Sequence, residues 1–489
     1  MEEIHHKTSG GATLSKFGYA YDAAGNITTW AQQHEAVSRA YDFAYDAVDQ
    51  LVGAAYRTTD TVPSVLARYG YVYDKLGNRT TEQVDDAPRV WKYNNTNQMI
   101  TQAGGGTLRF EGSVNEPATV MVQGQPALVD ATNGFAGAAS VGAGTPVVTV
   151  TATDESGNSA SQAYEVDVTD VPSSFVYDLN GNLTSHGTKS YEWDAEDRLV
   201  RALDNSSEVA RFTYDGLGRR AEKISGGVTR AYVYDGADIV EERAGGTTTR
   251  IVHGPAIDQP LAAVTAGTPT YFLADHLGSI AQHTDAAQQV TLTRAYDPFG
   301  NLTSGASNSG YAFTGREWDA EVGLYYYRAR YYDAGLGRFI SADPIGLDGG
   351  FNLYRYVENA PQRFSDPFGK EVVNRSIFVV YVKPGDTGAA VPLGPGQTYS
   401  GDQDGVATPV HKPGEVFKTG NGIDVIINPD GTVTTSGGNP VERAYNWWNG
   451  GWKDEQWQQD LNTDNDTGWD QLFNEARKNI PPNPRVTCK

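Results

Sequence analysis

The chain has 489 residues, enough for two to four domains with cores of their own. Its 38 Lys+Arg against 60 Asp+Glu leave a net charge of −22; residues 370–489 hold 11 and 15 of these, so all but 4 of the excess negative charges precede residue 370. That balance argues against a basic nucleic-acid-binding surface over the first three quarters, the single cysteine, Cys488, excludes an intrachain disulfide, and no run of about 18 apolar residues offers a membrane span. The 55 Gly and 28 Tyr favour turn-rich β structure over helix bundles. The first residues, MEEIHHKTSGG, lack the basic-then-apolar build of a signal peptide, so export would use another signal. His5 and His6 read as solvated residues of a polar terminus, and no metal or cofactor is expected.

A unit recurs along the chain as FGYAYDAAGNITTW (17–30), YGYVYDKLGNRTTE (69–82), SFVYDLNGNLTSHG (174–187), RFTYDGLGRRAEK (211–223) and RAYDPFGNLTSG (294–305). Degenerate copies stand at 41–56, 92–103, 191–202 and 232–242. Each reads as an aromatic strand, an Asp-x-x-Gly-Asn turn and a second strand with one inward apolar residue. Gly and Asn tolerate the left-handed backbone of a tight hairpin, and the Asp side chain accepts from the turn amides. Tyr pairs supply cross-strand contact. One such hairpin is marginal in water, whereas many in register bury a continuous seam. The repeat aspartates are therefore structural.

Residues 104–172 interrupt the repeat. Short alternating strands such as VVTVTAT and AYEVDV, joined by a DESGN turn, predict a small β-sandwich. It looks like the immunoglobulin-like modules inserted in some bacterial secreted proteins. Repeat strands resume over 173–310, and 311–369 is a dense block of aromatics, arginines and glycines that ends NLYRYVENAPQRFSDPFG.

The repeats over 17–103 and 174–369, with GREWDAEVGLYYYRARYYDAGLGRFISADPIGL in the last block, resemble the RHS/YD-repeat family and its RHS-associated core. The resemblance implies a β-sheet cocoon that encloses a toxic C-terminal domain. The repeat region is shorter than a complete cocoon needs, so a fragment or a partial shell is expected. The resemblance also implies self-cleavage just after the final Asp-Pro-x-Gly by two aspartates. Two close carboxylates share a proton, so one activates water while the other protonates the leaving group. Asp343 and Asp366 are the candidates, Arg338 is the candidate to orient a carboxylate, and the cut is expected beside Gly369–Lys370. On spacing alone both Asp-Pro pairs equally start turns. Lys370 departs from the apolar residue usual at that place in the family, which leaves an uncut, enclosed tail as the alternative.

Residues 370–489 read as a variable α+β domain, with a strand in EVVNRSIFVVYVKP, a hairpin around Pro429-Asp430-Gly431 and a helix in DTGWDQLFNEARKNI. His411 is this segment's only histidine; with Asp402, Lys412 and Arg443 it has the base, acid and cation that metal-independent RNA cleavage requires. DLNTDNDTGWDQ fails the EF-hand pattern, because Asn465 and Gln471 stand where Gly and Glu belong.

The expected architecture is mainly β: repeat strands at 1–103 and 173–310, a sandwich insert at 104–172, a core at 311–369 and a tail domain at 370–489. The expected function is a polymorphic toxin for competition between bacteria. Its partners would be a cognate immunity protein, a secretion apparatus or carrier and a nucleic-acid target in the target cytoplasm. The alternative is a non-enzymatic surface or adhesive protein whose tail caps or binds.

Overall fold

The computed structural model describes residues 3–170, 172–305 and 307–370, and beyond them the backbone of strands Val380–Lys383, Val391–Leu393, Gly405–Ala407, Val425–Ile427 and Val433–Thr435. The architecture is mainly β. Twenty-five strands join in one hydrogen-bonded sheet. From Glu3–Lys7 to Leu302–Gly305 it is an antiparallel meander in which each strand pairs with its neighbour in sequence. One step is skipped. Strand Met99–Ser113 pairs with Ala87–Tyr93 on one side and with Ser173–Tyr177 on the other, so the meander continues past the interruption.

The turn chemistry accounts for the hairpins. In Asp74–Asn78 the Asp74 amide donates to the Asn78 carbonyl (2.9 Å) and the Gly77 amide to the Asp74 carbonyl (3.0 Å). Asp74 Oδ1 accepts from the Leu76 and Asn78 amides, both at 2.9 Å, and Oδ2 from the Asn78 side chain at 2.9 Å. The same carboxylate pattern recurs at Asp46, Asp178 and Asp297. The fourth position is left-handed at Gly25, Gly77 and Gly181, and also at Asp49, Asn97 and Asp197. The degenerate copies thus keep the turn, with Asp or Asn in a conformation they tolerate better than most residues.

A second device links successive hairpins. In the repeat hairpins the strand after the turn carries a one-residue bulge, Thr28, Val52 or Thr80, opposite the step to the aromatic that precedes the turn Asp, at Ala20/Tyr21, Ala44/Tyr45 and Val72/Tyr73. That aromatic then donates to the carbonyl just after the preceding turn. Tyr45 bonds Ile27 (2.9 Å), Tyr73 Leu51 (2.8 Å), Tyr93 Arg79 (2.7 Å), Trp193 Leu183 (2.8 Å) and Tyr214 Leu199 (2.7 Å).

The interrupting residues form a sheet of Gln125–Pro126, Ala118–Val122, Val147–Asp154 and Ser159–Glu165. It shares a core with Gly134–Gly142 and the far end of Met99–Ser113, where Leu108, Val120, Val122, Val141, Val148 and Val150 are buried together. Met99–Ser113 runs unbroken through Gly104–Gly106, where a Cβ at Gly106 would press on the Thr81 side chain at 2.7 Å.

Residues 310–339 make a five-stranded meander. In strands Leu324–Tyr327 and Arg330–Asp333 every residue is buried. Leu324, Tyr326 and Tyr331 pack on Trp91, Phe175, Leu199 and Phe212, while Tyr325, Tyr327 and Tyr332 pack on Leu277, Tyr296 and Tyr356. Charges placed there are paired: Asp319 with Arg220 and with Lys223 (2.7 Å), Asp258 with Arg316 (2.6 Å). The residues after the meander lie against the hairpin turns of the long sheet. Asn352 donates to the Leu76 carbonyl (3.0 Å), Asn359 to Gly77 (2.9 Å), and Tyr354 to Gly181 (2.9 Å).

Two outcomes follow. Tyr214→Phe leaves the buried Leu199 carbonyl without its donor and should cost about 1–3 kcal/mol in denaturant unfolding, whereas an unshifted midpoint would deny the ladder a stabilising role. Burial pushes the Asp297 carboxyl up to about 6 from its ordinary 3.8. The folded state holds that proton more tightly than the unfolded state, so the contribution is full below the ordinary value and is lost as pH rises through about 6. The Tm difference between wild type and Asp297→Asn should therefore move against wild type between those two pH values.

Candidate functional site

Strands Leu324–Tyr327 and Arg330–Asp333 are joined by the two-residue turn Arg328-Ala329, which places Arg330 opposite Tyr327. The segment Asp366–Lys370 lies along this turn. The Ala329 amide donates to the Phe368 carbonyl at 3.2 Å. Gly369 is left-handed (φ 70), and a Cβ on it would collide with the Tyr327 carbonyl oxygen. Glycine is therefore required by both conformation and space.

Asp343 and Asp366 each divide their oxygens in the same way. Asp343 Oδ1 accepts from the Ile345 amide at 3.1 Å, and Asp366 Oδ1 from the Lys370 amide at 2.9 Å. Both aspartates thus start turns. The second oxygens converge on one guanidinium: Arg330 Nη2 lies 2.9 Å from Asp343 Oδ2 and 3.1 Å from Asp366 Oδ2. Arg330 Nη1 donates to the Leu353 carbonyl at 3.1 Å, Nε donates to the Gly369 carbonyl, and the guanidinium sits 3.6 Å over the Phe339 ring. Burial raises the Asp343 carboxyl above the ordinary range, and the Arg330 and Lys370 cations partly offset this. The site thus holds two carboxylates, one shared cation and a peptide bond whose carbonyl already accepts from that cation.

Arg338 is not part of this arrangement. Its Nη2 donates to the Asn97 carbonyl at 2.6 Å, and its guanidinium lies between Tyr93 and Tyr354 at 5.1 and 4.9 Å. It ties the core to the 94–98 turn, whereas the cation at the carboxylates is Arg330. The signal for Arg330 was a charge at the head of the aromatic run RYYD, a strand whose residues are all buried. His411, Asp402, Lys412 and Arg443, and the tail's helix, lie outside the described residues. Among the described residues no three His, Cys, Asp or Glu side chains are grouped to hold a metal ion, and no helix is long and apolar enough to cross a membrane.

The teneurin YD-shell family model matches residues 165–363. A tRNA3(Ser)-specific nuclease WapA of Bacillus spizizenii is 32% identical over 210 residues, 40% of this chain and 9% of that protein. A double-stranded DNA deaminase toxin A of Burkholderia cenocepacia is 31% identical over 238 residues, 40% of this chain and 17% of that one. Over this region the chain is thus similar to RHS/YD-repeat toxins. It spans less than a fifth of the length of either relative. A crystal structure of TcdB2-TccC3-Cdc42 aligns over 75% of this chain and 21% of that one, at 18% identity and a TM-score of 0.36.

Gly369→Ala should displace the Asp366–Lys370 segment from the Tyr327–Arg330 turn. Tryptic cutting after Lys370 would then accelerate by roughly tenfold, since proteolysis follows the population of the open form; an unchanged rate would count against the close packing.

Proposed function

We propose that this protein is an RHS-type toxin for competition between bacteria whose core cuts its own chain between Gly369 and Lys370. The observation that carries the reading is the convergence of Asp343 and Asp366 on Arg330, with Arg330 Nε on the Gly369 carbonyl and Asp366 2.9 Å from the Lys370 nitrogen. Two carboxyls in one buried site hold a single proton between them. Water adds to the Gly369 carbonyl carbon and gives a proton to the ionised member of the pair. The proton held by the pair passes through Asp366 to the Lys370 nitrogen, and the C–N bond breaks to leave a carboxylate and an amine. Arg330 supports the developing charge on the carbonyl oxygen.

In this reading residues 370–489 are the toxic domain, an α+β fold for which His411, Asp402, Lys412 and Arg443 are the candidate nuclease residues. The relatives named for tRNA cleavage and DNA deamination support a nucleic-acid target. A cognate immunity protein would neutralise the domain, and a secretion apparatus or carrier would deliver it to the target cytoplasm. Residues 104–172 are an immunoglobulin-like β-sandwich insert, for which the two sheets sharing the Val120–Val150 core are the support.

Intact-mass analysis of the purified chain tests the cut. Wild type should give two fragments split after Gly369, and Asp343→Asn and Asp366→Asn should each stay whole or slow by at least about 10²-fold. A single uncut chain in all three would remove self-cleavage. Bacterial growth arrest by the full chain, absent when it stops after Gly369, would locate toxicity in the tail, and normal growth in both cases would refute it.

A further inference from the structure

Arg328, two residues before the cation of the carboxylate pair, touches neither carboxylate. Its guanidinium instead joins two parts of the molecule. On one side Nε donates to the Ala237 carbonyl at 3.2 Å, and Nη2 meets Asp238 at 3.3 Å and Asp258 at 2.8 Å. On the other side Nη1 donates to the Pro367 carbonyl and the group lies 5.0 Å over the Phe368 ring. Pro367 and Phe368 are the second and first residues before Gly369. Arg328 therefore grips the segment that leads into the bond proposed to be cut.

The sheet-side partners come from elements distant in sequence. Ala237 and Asp238 lie where strands Val228–Asp235 and Asp238–Ala244 join, and Asp258 precedes strand Pro260–Thr265. Asp258 is also fixed by Arg316, whose Nη1 lies 2.6 Å from the same oxygen and whose Nη2 donates to the Tyr326 carbonyl at 2.9 Å. Arg328 itself is left-handed (φ 54), a conformation that is unfavourable for a non-glycine residue and persists where surroundings impose it. A planar fork meets the Ala237 and Pro367 carbonyls and two carboxylates at once, which an ammonium cannot do.

We propose that Arg328 is a positioning residue that makes self-cleavage conditional on the sheet having closed around the core. The guanidinium is aimed at Pro367 and Phe368 only while Asp238 and Asp258 stand beside it. Before those elements dock, the 366–370 segment keeps only its Ala329 and Arg330 contacts, and the Gly369 carbonyl is held less firmly against Arg330 Nε. The tail is then cut from a finished container and not from a nascent one. This rests on the self-cleavage reading of Asp343 and Asp366.

The test follows first-order fragment appearance by mass spectrometry after full-length chain is diluted from denaturant. Wild type is compared with Arg328→Ala, Arg328→Lys, Asp238→Asn and Asp258→Asn. Hydrogen exchange of the 199–225 strands reports folding, and exchange of 366–370 reports the grip. Expected are about tenfold or greater slowing in Arg328→Ala and Asp258→Asn, partial activity in Arg328→Lys, and faster exchange confined to 366–370. The pH profile of the residual cleavage should keep its shape, because Arg328 touches neither carboxylate. Cutting at the wild-type rate in folded Arg328→Ala would overturn the role of Arg328 alone. If that variant fails to fold, wild-type rates in Arg328→Lys and Asp258→Asn would do the same. An uncut wild type would overturn the self-cleavage reading and the conditional role with it.

Discussion

Repeat hairpins of the long sheet are registered to their predecessors by a hydrogen bond, from the aromatic before the turn aspartate to the carbonyl after the previous turn. The bond is needed because the bulge beside each turn removes that carbonyl from the regular ladder, and a buried carbonyl without a donor is costly. The repeat spacing, the bulge and the tyrosine therefore imply one another. A change in any of them displaces the next turn, and the rest of the meander follows from that register.

The row of turns is completed by the core. Asn352, Tyr354 and Asn359 satisfy turn carbonyls that no strand reaches, and Tyr325 and Tyr332 do the same at the 297–301 turn. In return the sheet supplies the partners for the core's charges, Arg220 and Lys223 for Asp319 and Asp258 for Arg316. Neither half satisfies its buried polar groups alone, so the two are expected to fold as one unit. The candidate site lies inside that unit: its carboxylates are held within the core by Arg330, Ile345 and Lys370, and Arg328 ties the neighbouring Pro367 and Phe368 to the sheet.

The aspartate-led turn serves two ends in this chain. In the repeats both carboxylate oxygens are spent on the turn itself, as at Asp74 with Leu76 and Asn78. At Asp343 and Asp366 only one oxygen is spent in this way, and the other faces Arg330. The difference lies in the residue four places on from the aspartate. A side-chain amide such as that of Asn78 occupies the second oxygen, whereas Leu347 and Lys370 bring no amide to compete with Arg330. One local motif thus yields a closed structural turn or an available carboxylate.

The hairpins, the turn role of the aspartates and the β character of the interruption were legible in the sequence, because they depend on alternation and on residues at most five apart. The pair Asp343 and Asp366 was legible as candidates, but their meeting was not, since the 22 intervening positions hold only two short 3-10 turns and no long element that dictates the approach. Arg338 was the cation expected at the carboxylates, and Arg330 had not been singled out. Packing separated them: the strand beginning at Arg330 is buried on both faces and aims that side chain at the carboxylates, while Arg338 meets the Asn97 turn. The hydroxyl ladder, too, required the sheet, because each tyrosine bonds a residue 14 to 22 positions earlier. Local chemistry determined the turns and strands; only tertiary structure decided which charge faces which, because a buried ion selects its partner by proximity after the chain has folded.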